Sequence, residues 1–141
     1  MKKVFIKKGE TFAERMPIKS GPRDFYITHS IIHHENTGIQ QMRLGMIELE
    51  PGQVLGEHKH NCDEIMYALE GKGTWLIDGK EYSAEPGDAV YVAPDAIHGG
   101  HMNTGNTVWR YLYVVGQLME PLTSKDARLP SGEPIIPKRI K

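Results

Sequence analysis

The chain has 141 residues, 39% of them hydrophobic and 25% charged, enough for one compact domain over 1–141 and too few for two, with the composition of a globular protein rather than a disordered one. No apolar run approaches the roughly 20 residues that cross a bilayer, and 17 Lys plus Arg against 18 Asp plus Glu leave no overall field for nucleic acid or an anionic membrane, so the expected partner is a small molecule. The single cysteine, Cys62, excludes an intrachain disulfide, and the start Met-Lys-Lys-Val-Phe-Ile-Lys-Lys lacks the apolar core of a signal peptide, so a cytoplasmic setting is expected.

Fifteen glycines and nine prolines cut the chain into pieces of about five to ten residues, rich in β-branched and aromatic side chains, which is the pattern of strands. In chain order, Val4 to Lys7 reads as a first strand with an apolar Val4-Phe5-Ile6 edge. Residues 8 to 23, with Gly9, Pro17, Gly21 and Pro22, read as an irregular connection. Strands follow at Phe25 to His33, Met42 to Leu49, Ile65 to Leu69, Thr74 to Ile77, Ala89 to Ala93 and Thr107 to Val115. Asp78-Gly79, between Thr74–Ile77 and Lys80-Glu81-Tyr82, is the strongest hairpin signal, because both turn positions tolerate positive φ. Turns are also expected at Gly71-Lys72-Gly73, Glu85-Pro86-Gly87-Asp88 and Pro94-Asp95. From 119 to 141 four prolines predict an extended tail lying over the surface or onto a second subunit. Many short strands with no helix between them imply an antiparallel double sheet or small barrel.

Along these strands Met42, Met46, Met66, Tyr67, Tyr91 and Trp75 are expected mostly in the core, and Tyr67 is a candidate to turn its hydroxyl toward a pocket. Arg43 and Arg110 each interrupt an otherwise apolar strand. Inside a barrel such a guanidinium needs an acidic partner or an anionic ligand; the alternative is an outward-facing arginine. Tyr67, Arg43 and Arg110 are the candidate catalytic side chains.

His58 and His60 are two apart, so on an extended strand both imidazoles point to one face and can reach one ion. Glu64 would be about 13 Å from His60 if the strand continued. Asn61-Cys62-Asp63 supplies turn residues that reverse the chain and face Glu64 back toward the histidines. His98, after the Pro94-Asp95 turn, is the fourth candidate. Three imidazoles and a carboxylate suit one divalent transition metal, Fe, Mn, Zn or Ni, with positions left for substrate or water. Were Gly99-Gly100 to bulge, His101 would take the place of His98 or act as a base beside it. His29 and His33 share a strand face but lack a carboxylate at matching spacing, and His34 adds none. Cys62 sits in the proposed turn, which aims its thiol away from the ion and leaves it a structural role.

Gly52, five residues, His58, one residue, His60, three residues, Glu64, six residues, Gly71 matches the first sequence motif of the cupins at every fixed position, and the chain resembles that family. The second motif is Gly, five residues, Pro, one residue, Gly, two residues, His, three residues, Asn. Here Gly87 and His98 match, Ala93 and Asp95 depart, and the asparagine is displaced by one to Asn103. That register favours His98 over His101. The resemblance implies an all-β antiparallel double-stranded β-helix, or jelly roll, and the metal ligands His58, His60, Glu64 and His98.

One glutamate and three neutral histidines leave a divalent ion with a formal charge near +1, which favours a small anionic oxygen ligand. Iron would suit dioxygenase chemistry; zinc, manganese or nickel would suit isomerisation or lyase chemistry, and the ligand set does not choose. Cupins include dioxygenases, sugar isomerases and small-acid lyases. The expectation is therefore a metal-dependent enzyme acting on a small oxygenated acid or sugar-derived metabolite. The alternative is a non-catalytic binding or sensor module. The resemblance also implies a homodimer, through the Val4-Phe5-Ile6 strand or the proline-rich tail.

Overall fold

The computed structural model describes residues 2–116, 127–136 and 138–140. In chain order its strands begin with β1 (Phe12–Ser20), β2 (Phe25–Ile32), β3 (Met42–Leu49), β4 (Val54–Leu55), β5 (Asp63–Glu70) and β6 (Gly73–Ile77). They continue with β7 (Lys80–Ala84), β8 (Ala89–Val92), β9 (Met102–Asn103), β10 (Trp109–Gly116) and β11 (Lys138–Arg139). All strand pairs are antiparallel. One sheet runs β1-β2-β3-β10-β5-β8 and the other β7-β6-β9-β4-β1, so β1 belongs to both. The result is the nearly closed jelly-roll barrel expected from the sequence.

Alternation builds the interior. In β10, Trp109, Tyr111, Tyr113 and Val115 are buried while Arg110, Leu112 and Val114 face out, and β3 buries Arg43, Gly45, Ile47 and Leu49 in the same way. At one end of the barrel Trp75, Trp109 and Tyr111 pack ring on ring, with centroids 4.8–5.9 Å apart. The other end is left open as a cavity.

The strands read from sequence at Phe25, Met42, Ile65, Thr74, Ala89 and Thr107 are present within a few residues of the expected ends. The hairpin at Asp78-Gly79 is formed with φ of 48° and 80°, and Ile77 pairs with Lys80 across it. Two expectations are corrected by the structure. Val4 to Lys7 is not a strand: Val4 is fully exposed, and the free edge of β1 is taken by β11 from the other end of the chain. Residues 8 to 23 are not irregular, because they contain β1. Pro17, read as a breaker, is the last residue of β1 to pair with β2, and from Ile18 the strand pairs with β4 instead. A residue without an N–H thus sits where the ladder changes partner. The described part of the tail turns back onto its own barrel, Arg128 exchanging both backbone hydrogen bonds with Lys59 at 2.7 and 2.9 Å. The tail reading over 119–126 lies outside the described residues.

Met66 and Trp75 are buried as expected, but Met42, Tyr67 (44% exposed) and Tyr91 (58%) are not core residues. They lie on the outward side of the sheet. Spacing by two fixes which residues share a face and does not say which face is inside.

Candidate metal centre

His58 and His60 lie on the extended segment after β4, and the chain reverses at Asn61-Cys62 so that Glu64 enters on β5. Cys62 is buried in the apolar core. His98 joins from the loop after β8, pairing by backbone with His58 through hydrogen bonds of 2.6 and 2.9 Å. The Pro94-Asp95 turn that precedes it explains one departure from the second motif. Asp95 stands where the motif has glycine and takes φ of 63°, a left-handed conformation that a short acidic side chain tolerates. Asn103, displaced by one, still ties its turn, donating to the carbonyls of Leu49 and Thr107 at 2.8 Å each.

The metal-ligating nitrogens of His58, His60 and His98 all lie within 4.8 Å of one another, the one group of three or more such residues among those described. Glu64 reaches two of the three, with Oε1 2.9 Å from His98 Nε2 and Oε2 3.5 Å from His60 Nε2. The tautomers follow from the hydrogen bonds. His58 Nδ1 lies 3.0 Å from the Gly56 carbonyl and His98 Nδ1 3.1 Å from the Ala96 carbonyl. A carbonyl only accepts, so both Nδ1 atoms carry the proton and both Nε2 atoms present lone pairs. His98 Nε2 and Glu64 Oε1 are buried and face each other 2.9 Å apart, with no further hydrogen-bond partner. A cation between these two atoms, proton or metal ion, satisfies both, and backbone-oriented imidazoles are how metal sites fix their ligands. The residues therefore fit a transition metal.

Burial pushes the Glu64 carboxyl up, but the His60 and His98 imidazoles outweigh it and hold it well below the usual carboxylate range. Burial, then the charge of His98 and His60, hold His58 well below the ordinary histidine value. His101, buried and next to His98, is pushed down to about 3 by burial first and by His98 second, with Glu64 opposing. From about pH 6.5 downward the unfolded chain therefore binds protons that native His58 and His101 refuse, and Glu64 adds the same sign at lower pH. Stability of the metal-free protein falls with pH, by about 1.4 kcal/mol per unit for each such histidine. The urea midpoint of metal-free protein is expected to drop steadily from pH 7 to pH 5; a flat midpoint over that range contradicts the burial of these rings.

A cavity of about 270 Å³ opens beside the four residues. Met16, Ile18, Ile47, Leu55 and Met66 give it an apolar belt, and Ala127, Leu129 and Ile135 of the returning tail lie along it. Arg43 lines it and is buried, its Nη1 donating to the Tyr113 hydroxyl at 2.6 Å, with Thr28 Oγ1 3.1 Å from the same hydroxyl. Arg43 and Glu64 both stand opposite Val115 on the strand between them, which places their Cα atoms about 10 Å apart.

The other two catalytic candidates lie elsewhere. Tyr67 is on the outer face of β5, one residue out of phase with inward Glu64 and Met66, so its hydroxyl does not reach the cavity. Arg110 is also outside, where it pairs with Glu48 at 3.2 Å and with Glu70. His29 Nε2–H donates to Glu48 Oε1 at 2.7 Å, and His33 precedes a one-turn helix, His34–Thr37, with its ring 4.7 Å from Phe12. Tyr113, Thr28 and buried Glu14, which accepts from Ser30 Oγ at 3.3 Å, line the cavity and were not picked out from sequence. Tyr113 had a signal, sharing the inward phase of Trp109 and Tyr111. Glu14 had none, since its strand was read as a connection.

Comparison with known proteins agrees with this geometry. Dimethylsulfoniopropionate lyase DddW of Ruegeria pomeroyi is 33% identical over 90 residues, covering 62% of this chain and 59% of that protein's length. An oxalate-binding protein of Thermotoga maritima is 28% identical over 79% of this chain and 93% of its own. Among solved structures, one described as a predicted oxalate decarboxylase of Thermotoga maritima superposes with a TM-score of 0.68 at 27% identity, over 82% of this chain and all of that one. The polyketide cyclase RemF of Streptomyces resistomycificus shares the fold, with a TM-score of 0.66 at 22% identity over 89% of each chain. The family model for the cupin domain matches residues 45–115, the stretch that carries all four candidate ligands. This chain belongs to the cupin domain family.

Proposed function

We propose that the chain is a metal-dependent enzyme acting on a small oxygenated acid or sugar-derived compound in the barrel cavity, with His58, His60, Glu64 and His98 holding one divalent ion. The observation that carries this reading is the cluster of three imidazoles whose nitrogens lie within 4.8 Å of one another, with buried Glu64 Oε1 2.9 Å from His98 Nε2. When bound, the ion would supply Lewis-acid chemistry to a chelating carbonyl or carboxylate. The chain's own part is to bind and exclude water. The apolar belt dries the cavity, and Arg43, steadied by the Tyr113 hydroxyl, offers positive charge to an anionic group two strands from Glu64. The names of the relatives, a lyase and an oxalate-binding protein, support a small acid as ligand. The single cysteine, Cys62, buried in the apolar core, suits a reducing, cytoplasmic setting.

The test incubates metal-loaded protein with small hydroxy, keto and dicarboxylic acids and aldoses, with products followed by NMR. Consumption of one compound, lost in a folded His58→Ala protein, supports catalysis. Stoichiometric binding with every compound recovered unchanged makes the protein a binding module instead, and turnover unchanged in His58→Ala contradicts the ligand assignment.

The same reading has the chain pair with a second copy through the outer face of β3, β10, β5 and β8. Two adjacent rows there are apolar: Met46, Leu112, Tyr67 and Ala89, then Leu44, Val114, Ile65 and Tyr91. The row beyond them carries Glu48, Arg110 and Glu70, which pair within the chain. Ile65, Tyr67 and Tyr91 on these rows are exposed, and a contiguous apolar patch of this kind marks an interaction surface. Tyr67→Lys is expected to convert a sedimenting dimer to monomer with its melting profile retained; a wild-type monomer at all concentrations contradicts the pairing.

A further inference from the structure

A histidine beside the candidate centre is oriented the opposite way from its neighbours. His58 and His98 each give the Nδ1 proton to the carbonyl two residues back, so Nε2 carries a lone pair. His101 instead accepts on Nδ1, from the backbone N–H of Leu76 at 2.9 Å. A neutral imidazole that accepts at Nδ1 carries its proton at Nε2. That Nε2–H has no hydrogen-bond partner, although the side chain is only 1% exposed and lines the cavity. The ring centroid lies 6.0 Å from that of His98 and 6.3 Å from that of Tyr111.

The local backbone holds this arrangement. Gly99, with φ of 113°, passes so close to the Gly56 carbonyl that any side chain there would overlap it. The chain then runs between β4 and β6, Gly100 N–H bonding to the Leu55 carbonyl of β4 at 2.6 Å and Gly99 N–H to the Leu76 carbonyl of β6 at 3.2 Å. His101 is therefore presented to the Leu76 amide rather than to the ion. With Nδ1 occupied and Nε2 protonated, it has no lone pair to give a metal and none with which to take a proton. Both roles open to it from the sequence, alternative ligand and base, are excluded by this hydrogen bond.

What remains to it is donation. A buried N–H left unmade costs about 1–3 kcal/mol, and one aimed into a ligand cavity is satisfied by an acceptor on the ligand. We propose that His101 is the hydrogen-bond donor that orients an acceptor oxygen, carbonyl or carboxylate, of the compound bound in this cavity. The proposal rests on the metal-centre reading above and narrows its substrate class. An N–H donor at this place favours ligands that offer an acceptor oxygen, such as keto acids and dicarboxylates.

Zinc-loaded full-length protein, with oxalate as a simple dicarboxylate probe, tests this. Nitrogen-15 NMR of the imidazoles is expected to show His101 protonated at Nε2 and bare at Nδ1, before and after zinc is added, with the Nε2–H resonance shifting as oxalate binds. Calorimetry is expected to give oxalate binding at least tenfold weaker in His101→Leu, at unchanged zinc stoichiometry. The opposite tautomer, a resonance unmoved by saturating oxalate, zinc-loaded wild type that takes up no oxalate, or equal affinity in folded His101→Leu would each overturn the proposal. Should His101→Leu not fold, the wild-type spectra decide alone. Failure of the metal reading is seen separately, as absent zinc in the wild type before any oxalate is added.

Discussion

Protein carrying His98→Ala is expected to purify folded and to bind its metal at least ~100-fold more weakly than wild type. Losing a hydrogen bond that merely supports a metal ligand costs about 10–100-fold, and this change removes the ligand itself. It also leaves Glu64 Oε1 facing a cavity instead of an imidazole nitrogen 2.9 Å away. The backbone is expected to tolerate the change, because the pairing between residues 58 and 98 runs through main-chain N–H and carbonyl groups. Metal content by mass spectrometry, set beside circular dichroism, separates the two effects. Retention of wild-type affinity would remove His98 from the site.

Trp109→Ala is expected to cost about 3–5 kcal/mol, a large share of the stability of a domain this size, and to lower the melting temperature by roughly 10–20 °C. Trp109 is fully buried, and its ring lies over Gly73, where any added Cβ would fall on the indole. Small and large residues are thus matched across β6 and β10, and removing the indole opens a void that neither Trp75 nor Tyr111 fills without leaving its rotamer. Tyr111 is also packed edge-on to His101, so the variant is expected to loosen the cavity wall too. A melting temperature within a few degrees of wild type would contradict the close packing at this end of the barrel. Val4→Ala, at a fully exposed position, is the control and is expected to change nothing measurable.

The strands and the hairpin were legible because their signals are local: β-branched runs, Asp78-Gly79, and glycine and proline at the breaks. His58, His60, Glu64 and His98 were legible as a spacing; the nitrogens of the three histidines lie within 4.8 Å of one another and Glu64 stands beside two of them. β1 was not legible, because its proline looked like a breaker and only the change of partner from β2 to β4 makes it acceptable there. Tyr67 was misplaced for a different reason. β5 is apolar on both faces, with Met66 and Ala68 inward and Ile65 and Tyr67 outward, so hydrophobicity alone could not fix the phase. Arg110 was ambiguous until Glu48 and Glu70 arrived from neighbouring strands, and the tautomer of His101 depends on an amide 25 residues away. Pairings made across the sheets decide each of these, and no local window contains them.

The central claim is that four side chains lining the cavity of this barrel hold one transition-metal ion. Metal analysis of protein purified without an affinity tag or chelator, and again after dialysis against added zinc, manganese, iron and nickel, tests it most directly. The account predicts close to one divalent ion per chain, lost in His98→Ala. No metal as purified, and none taken up from any of the four, would contradict it.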